Sequence, residues 1–272
     1  MTKPDRASNH DSYMVPSLER GLRLLSVLAS ARTELSLSEL AERLELSRSS
    51  VFRLCYTLDQ LGFVRRTRLG YEMGPRVLTL GFDYLSSLDL VDTARPELVA
   101  LRDDTGASAH LGVLHGRDVI YIAQVAAQRQ LASRVAVGSH FPAHAMSMGR
   151  LLLSALSEEE FDSLYKGVSL EKFTDDTPAT VEELRARIAA DRKRGYVISR
   201  GSFERGIAAV AAPVLGADGK VVAAVNISGP AATLDTGAID GVFKDRVCRT
   251  AERISLALGY RPAAGAQLRV VS

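Results

Sequence analysis

Residues 36–66 read SLSELAERLELSRSSVFRLCYTLDQLGFVRR. Ser36 followed by Glu39 is the pattern of a reciprocal cap, so a helix is predicted from Leu37. Leu37, Leu40, Ala41 and Leu44 then share one face. After the break Glu45-Leu46-Ser47, Ser47 caps a second helix whose apolar stripe is Val51, Leu54, Leu58 and Leu61, with Cys55 beside it. The opposite face carries Ser49, Ser50, Arg53, Tyr56 and Thr57, all able to donate hydrogen bonds. Two short helices joined by so tight a turn form a helix-turn-helix, whose second helix fits the major groove. Double-stranded DNA is the partner this predicts.

Outward from there, Phe63–Arg66 has the pattern of a strand, Thr67–Gly70 that of a turn, and Leu69–Met73 that of a returning strand. An arginine-tipped hairpin after the second helix is a wing, able to reach phosphates or the minor groove. Between Ser47 and Arg76 stand Arg48, Arg53, Arg65, Arg66, Arg68 and Arg76 against only Asp59 and Glu72. The whole chain carries a net charge of only +2, so positive charge is concentrated where phosphates would lie. Ser47, Ser49, Ser50, Arg53, Tyr56 and Thr57 are the candidates for base edges or nearby phosphates, and Arg48, Arg65, Arg66 and Arg68 for the backbone. The plain alternative is a three-helix module with a solvated arginine face. Upstream, Ser17–Leu28 is predicted to be a helix with Leu18, Leu22, Leu25 and Leu28 on its core face. Downstream, Pro75 is placed to open another helix, with Val77, Leu80, Tyr84, Leu85 and Leu88 at helical spacing.

The 272 residues are 46% hydrophobic and 24% charged, ordinary values for a water-soluble globular chain. No apolar run has transmembrane length and nothing near Met1 resembles a signal peptide, so no membrane partner is expected. The two cysteines, Cys55 and Cys248, are far apart and read as small buried hydrophobes, which fits a cytoplasmic location.

The character changes after Asp92. A helix over Thr93–Thr105 ends at Gly106, and SAHLGVLH (108–115) with DVIYIAQV (118–125) makes a hairpin around Gly116-Arg117. LASRVAVG (131–138) is a further predicted strand, followed by a loop and the helix GRLLLSAL (149–156). Ser157 with Glu160 and Thr180 with Glu183 are two more capping boxes, the second opening a helix that stops at Gly195. YVISRG, IAAVAAPVLG and VVAAVNISG complete the strands, the last two joined through Asp218-Gly219. A final helix spans about 237–258, with Val242, Val247, Ile254 and Leu258 as buried candidates. Strands joined mostly by hairpins and flanked by helices define an antiparallel α+β domain.

The pattern resembles the IclR family of bacterial transcription regulators over about Ser17–Pro262. The resemblance rests on SLERGLRLLSVL, on LSLSELAERLELSRSSVFRLCYTLDQLGFVRR (35–66) and on YEMGPRVLTLG; in the C-terminal half it rests on LGVLHGRDVIYIAQV, VGSHFPAHAMSMGRLLLSAL and RGYVISRGSFERGIAAVAAPVLGADGKVVAAVNISGP. It implies a winged helix-turn-helix (15–76), a linker helix (77–90) and a GAF-like effector-binding domain with an antiparallel sheet (91–262); the polar stretch MTKPDRASNHDSY makes residues 1–14 a disordered lead-in, and 263–272 remain as a tail. It also implies a homodimer or homotetramer on a palindromic operator, controlled by a small organic acid. Met146-Ser147-Met148-Gly149-Arg150 and GPRVLTLGFDYLSS (74–87) look most like members that control aromatic-acid catabolism.

Carried over from the family, the effector pocket is lined by Gln130, Ser133, Phe141, Ser147, Met148, Ser199, Ala209, Asn226 and Ser228. Members often have an acid at the position of Ser199 and Arg-Cys at that of Ala208-Ala209; those that sense small 2-oxo acids often have small residues where Ser147 and Met148 stand. Phe141, Met148 and Ala209 make this pocket more apolar and favour a larger, flatter acid, though Phe141 and Met148 also suit plain core. Ser147, Asn226, Ser228 and Arg134 are candidate donors for its carboxylate, Arg134 reading equally as a surface strand residue. No cofactor, metal site or catalytic group is expected. His140 and His144 have helical ligand spacing, but Pro142 lies between them and no third ligand suggests itself. Ser147 near His144 lacks an orienting acid, which leaves an enzyme of GAF-like fold as a rival class and a constitutive, ligand-free repressor as another.

Overall fold

The structure is a computed structural model that describes residues 13–31, 33–86, 89–127, 135–234 and 237–261, with backbone alone over 82–86. The chain divides into two compact units, Met1–Ser87 and Leu88–Ser272.

The first unit holds helices α1 (Pro16–Ala31), α2 (Leu37–Leu44) and α3 (Arg48–Gln60), strands β1 (Val64–Arg66) and β2 (Tyr71–Met73), and helix α4 (Arg76–Ser86). The cap of α2 is reciprocal: Ser36 Oγ accepts from the Glu39 amide and Glu39 Oε2 accepts from the Ser36 amide. Such a cap contributes about 1 kcal/mol and fixes where the helix begins. Glu45, left-handed at φ 55°, closes α2 and turns the chain into the Ser47 cap of α3. The core gathers Leu24, Leu28, Leu40, Leu44, Val51, Cys55, Val64 and Tyr71. Leu35 pairs with Tyr71 as an isolated bridge, adding a third edge to the β1–β2 hairpin. That approach demands Gly70, because a Cβ there would stand 2.1 Å from the Leu35 carbonyl oxygen.

Two apolar stripes differ from expectation. In α1, Leu18 and Leu22 are 62% and 57% exposed, while Leu24 and Leu28 are buried. The helix begins before the body it packs on, so only its second half meets α2 and α3. In α3, Cys55 is fully buried with Val51, Leu54 and Leu58 flank them half-covered, and Leu61 is exposed at the C-cap.

The second unit opens with α5 (Asp89–Thr105), one turn earlier than the sequence suggests. It continues through β3 (Ser108–His115), β4 (Asp118–Val125), β5 (His140–Pro142), α6 (Ser147–Leu153), α7 (Glu158–Tyr165), α8 (Val181–Arg194), β6 (Val197–Arg200), β7 (Ile207–Leu215), β8 (Val221–Pro230), the single turn α9 (Ala231–Leu234) and α10 (Lys244–Ala257). The sheet runs β5-β4-β3-β8-β7-β6 with every pairing antiparallel, as the α+β reading requires. The edge strand on the β4 side is His140–Pro142; within the predicted strand 131–138, residues 131–134 lie outside the described residues, Val135 and Ala136 have no regular structure, and Val137-Gly138 forms a turn. Thr180 caps α8, but Glu183 reaches back to the Ala179 amide at 2.9 Å rather than to that of Thr180 itself. Val242, expected inside, is 53% exposed in a wide helical turn before α10, whereas Val247 and Ile254 are buried.

Alternation along the strands divides their side chains between two helical layers. On one side α5 packs on β3 and β4, and α10 on β7 and β8. On the other, α6 lies across β7 and β8 with α8 against it; that core includes Tyr121, Met148, Leu152, Leu184, Val197, Ala211 and Ala224. A Cβ at Gly149 would lie 2.1 Å from the Ala143 carbonyl oxygen, so this glycine lets the Ala143–Ala145 turn close on α6. No helix among the described residues is long and apolar enough to cross a membrane.

Candidate functional site

In the first unit the residues singled out for DNA fall on one surface of α3 and on the hairpin. Arg48, Ser49, Arg53, Tyr56 and Thr57 are exposed, and Ser50 half so. Three hydroxyls meet at the start of α3: Ser47 Oγ lies 3.1 Å from Ser49 Oγ and 2.9 Å from Ser50 Oγ, and it accepts from the Ser50 amide. Thr57 Oγ1 donates to the Arg53 carbonyl one turn back, which holds its rotamer. Tyr56 stacks on Phe52, with ring centroids 6.4 Å apart, and both rings are exposed. Sequence reasoning passed over Phe52 because it belongs to neither the core stripe nor the polar set. An exposed aromatic beside the donors was the available signal.

On the hairpin Arg65, Arg66 and Arg68 are exposed. Arg65 is not a free cation. It stands opposite Glu72 in the strand register, and its Nε donates to Glu72 Oε1 at 2.8 Å. Arg66 and Arg68 form no side-chain ion pair among the described residues, although the Arg66 amide is tied to Asp59 Oδ1. Arg76 folds back, donating to the Leu61 carbonyl and lying over the Phe63 ring. The Cys55 thiol on the buried face of α3 is pushed up to about 11 by burial, so it is inert packing.

The second unit contains a cavity of about 320 Å³ between the sheet and the loops around α6. Its floor follows from cross-strand register. Ser108 faces Ser228, Ser228 faces Ala209, and Ala209 faces Ser199, a row that runs across β3, β8, β7 and β6. All four line the cavity, as does Asn226 one pleat along β8. Tyr121, Phe141, Phe203, Val135, Met146 and Ile207 supply the apolar walls, and Ser147 and Ser202 add hydroxyls. The aromatic rings run edge to face: Tyr121 to Phe141 with centroids 5.5 Å apart, then Phe141 to Phe203 at 5.3 Å. Glu204 is the one carboxylate among the described lining residues and it is exposed; no lysine or arginine is among them. Volume, flat walls and convergent neutral donors are the makings of a small-molecule site.

Of the residues carried over for effector binding, Phe141, Ser147, Ser199, Ala209, Asn226 and Ser228 line this cavity. Gln130, Ser133 and Arg134 lie outside the described residues. Met148 is not among the lining residues, in line with the plain-core alternative. It is fully buried in the core beneath the cavity, with its terminal methyl 3.1 Å from where a Gly112 Cβ would stand. Next to Ser147 on α6 it points about 100° away around the helix, into the sheet. Tyr121, Ser108, Ser202 and Phe203 are lining residues the sequence did not single out, because register between strands distant in the chain decides who shares a wall.

The two histidines with ligand-like spacing go separate ways. His140 Nδ1 sits 3.4 Å from Asp118 Oδ2 on the surface, and His144 Nε2 donates to the Glu171 carbonyl at 2.9 Å. That partner lies 27 residues away in the chain, ahead of α8. No group of three or more His, Cys, Asp or Glu among the described residues could hold a metal ion. One structural feature had no sequence signature: Asp191, fully buried on α8, takes Arg150 Nε on one oxygen at 3.0 Å and Arg194 on the other at 2.5 Å.

A helix-turn-helix with a basic hairpin in one unit, and an α+β fold with a cavity of small-molecule size in the other, define a ligand-sensing DNA-binding regulator. The family model described as the IclR helix-turn-helix domain matches residues 17–68, and that described as bacterial transcriptional regulator IclR C-terminal matches residues 82–256. The chain belongs to the IclR family of transcriptional regulators. It is 33% identical to the Pca regulon regulatory protein of Pseudomonas putida over 82% of this chain and 77% of that one. The crystal structure of the Thermotoga maritima IclR superposes with a TM-score of 0.71 at 28% identity, covering 90% of this chain and 99% of that one. An IclR homolog from Microbacterium hydrocarbonoxydans, crystallised with 4-hydroxybenzoate, shares the fold with a TM-score of 0.78 at 23% identity, covering 89% and 98%.

Proposed function

We propose that this regulator grips operator DNA through α3 and the β1–β2 wing and loosens or tightens that grip when a small aromatic carboxylic acid fills the cavity. The observation that carries the ligand class is the cavity itself: aromatic walls from Tyr121, Phe141 and Phe203 over a floor of Ser108, Asn226 and Ser228. Such a pocket rewards a flat ring and meets a carboxylate with hydroxyl and amide donors. The Pseudomonas relative's role in the Pca regulon and the 4-hydroxybenzoate held by the Microbacterium protein support the same choice of probe. In this reading Ser47, Ser49, Ser50, Arg53, Tyr56 and Thr57, with Phe52 added, meet base edges or nearby phosphates; Arg48, Arg66 and Arg68 hold the backbone. The protein works in the cytoplasm as a homodimer or homotetramer on a palindromic site, with the 77–90 segment as the switching link between the 15–76 and 91–262 parts, and it releases its ligand unchanged.

Fluorescence anisotropy tests this with DNA from the protein's own locus, titrated over a range of salt with and without 4-hydroxybenzoate. Affinity that falls steeply with salt and shifts with the acid is the expected result. DNA retention that ignores salt would overturn the DNA-docking reading. Salt-sensitive binding with neither an affinity change nor a thermal shift from any benzoate would favour a constitutive repressor.

A further inference from the structure

At the inner end of the cavity floor, two side chains from strands remote in sequence form one buried pair. His110 and Asn226 are direct cross-strand partners in β3 and β8, and His110 Nδ1 lies 3.0 Å from Asn226 Oδ1. The imidazole is completely buried, its Nε2 has no hydrogen-bond partner among the described residues, and Tyr121 covers it edge to face with centroids 5.4 Å apart. Asn226 lines the cavity. Its amide nitrogen bonds to no described residue, yet it is not among the sealed unpartnered atoms. The open space it meets is therefore the cavity.

We propose that His110 is a positioning residue that locks the Asn226 amide with its oxygen inward and its NH2 toward the ligand, making this part of the floor a donor that selects carboxylates over the corresponding amides. The inference rests on the reading of the cavity as a ligand site.

An amide oxygen only accepts, so the ring nitrogen facing it carries the proton and Nε2 is left as a bare lone pair. Turning the amide over would require Nδ1 to accept from Nδ2 and would move the ring proton to Nε2. That would leave an N–H donor sealed in the core with nothing to meet, the costlier of the two orphans. A doubly protonated ring is excluded by burial, which pushes its pKa down to about 4. The neutral Nδ1–H tautomer remains, and with it one orientation of the amide. The consequence falls on the ligand. The described lining offers a carboxylate neutral donors, and each fixed N–H among them counts. An amide ligand presents its own NH2 to Asn226 in at least one orientation, and a floor that cannot turn over cannot adapt to it.

Two measurements test this. Nitrogen-15 NMR of the ligand-free protein reads the His110 tautomer directly; Nδ1–H is expected, and Nε2–H would overturn the proposal. Calorimetric titration with 4-hydroxybenzoate and 4-hydroxybenzamide then compares the wild type with His110→Phe, which keeps a ring and loses the bond, and with His110→Gln, whose side-chain NH2 can replace it. The wild type is expected to prefer the acid, His110→Phe to lower that preference by about tenfold or more, and His110→Gln to recover part of it. An acid-to-amide ratio unchanged in a folded His110→Phe protein would sink the idea. A wild type that binds neither compound tells against the aromatic-acid reading of the cavity, while the tautomer, read without ligand, still decides the amide's orientation.

Discussion

Arg65 and Glu72 face each other across the two strands of the wing, the guanidinium Nε 2.8 Å from the carboxylate oxygen. An arginine already paired has less charge to offer a phosphate. Glu72→Gln is therefore expected to tighten DNA binding and steepen the salt dependence by roughly one counterion, while Arg65→Ala costs less than Arg66→Ala. Anisotropy titrations at several salt concentrations check this. Equal losses from Arg65→Ala and Arg66→Ala would show that the pair opens on DNA.

Arg53 lies on the outward face of α3, while Arg66 lies on the hairpin. Arg53→Ala is expected to change the ranking of operator variants, by about 1–3 kcal/mol at the affected base pair. Arg66→Ala is expected to weaken all sequences alike. Competition against a randomised operator library separates the two, and uniform loss from Arg53→Ala would remove it from base recognition.

Asp191 is fully buried between Arg150, itself 5% exposed, and Arg194. Removing the carboxylate strands the Arg150 cation inside α6. Asp191→Ala is expected to destabilise the second unit by about 3–5 kcal/mol in denaturant unfolding, and the double change Arg150→Met with Asp191→Leu to recover most of that. A loss below about 1 kcal/mol would mean that water reaches the pair.

His110 gives the protein a pH dependence of known sign. Burial holds its folded pKa at about 4, while an unfolded chain takes up the proton near 6.5. From this group, stability is full above about pH 6.5 and declines as pH falls toward 4, by a total on the order of 3 kcal/mol. His110→Phe is expected to lack this component. Parallel urea titrations of the two proteins between pH 7 and 4 make the comparison, and identical slopes would show that the imidazole is protonated in place.

The helix-turn-helix was legible because its determinants are local. Ser36 and Glu39, the left-handed Glu45 and the Ser47 cap all act within one turn, and the periodicity of Leu40, Leu44 and Val51 needs no knowledge of the rest of the chain. What went wrong in that unit was the reach of a stripe: Leu18 and Leu22 continue a helical pattern beyond the body available to cover them. In the second unit strand positions came from alternation and turns, and family resemblance supplied six cavity residues. Ser108, Tyr121 and the pairing of His110 with Asn226 stayed hidden, because they depend on which strand lies beside which. The separation of 116 residues between that last pair leaves no local trace. Asp191 stands among the charges of a strongly polar helix, and only the packing of α6 on α8 encloses it.

Strand β8 is a partition a single backbone thick. Asn226 and Ser228 look into the cavity, while their immediate neighbours Val225 and Ile227 belong to the opposite face, where α10 packs on β7 and β8 and α5 on β3 and β4. A guest that bows this partition by a fraction of an ångström has no slack layer to absorb the strain, since a close-packed interior passes displacement on. The first helix to feel it through β3 includes α5, the segment by which the polypeptide enters the sensing body from its DNA-reading end. The cavity floor and the chain's doorway are thus two sides of one panel.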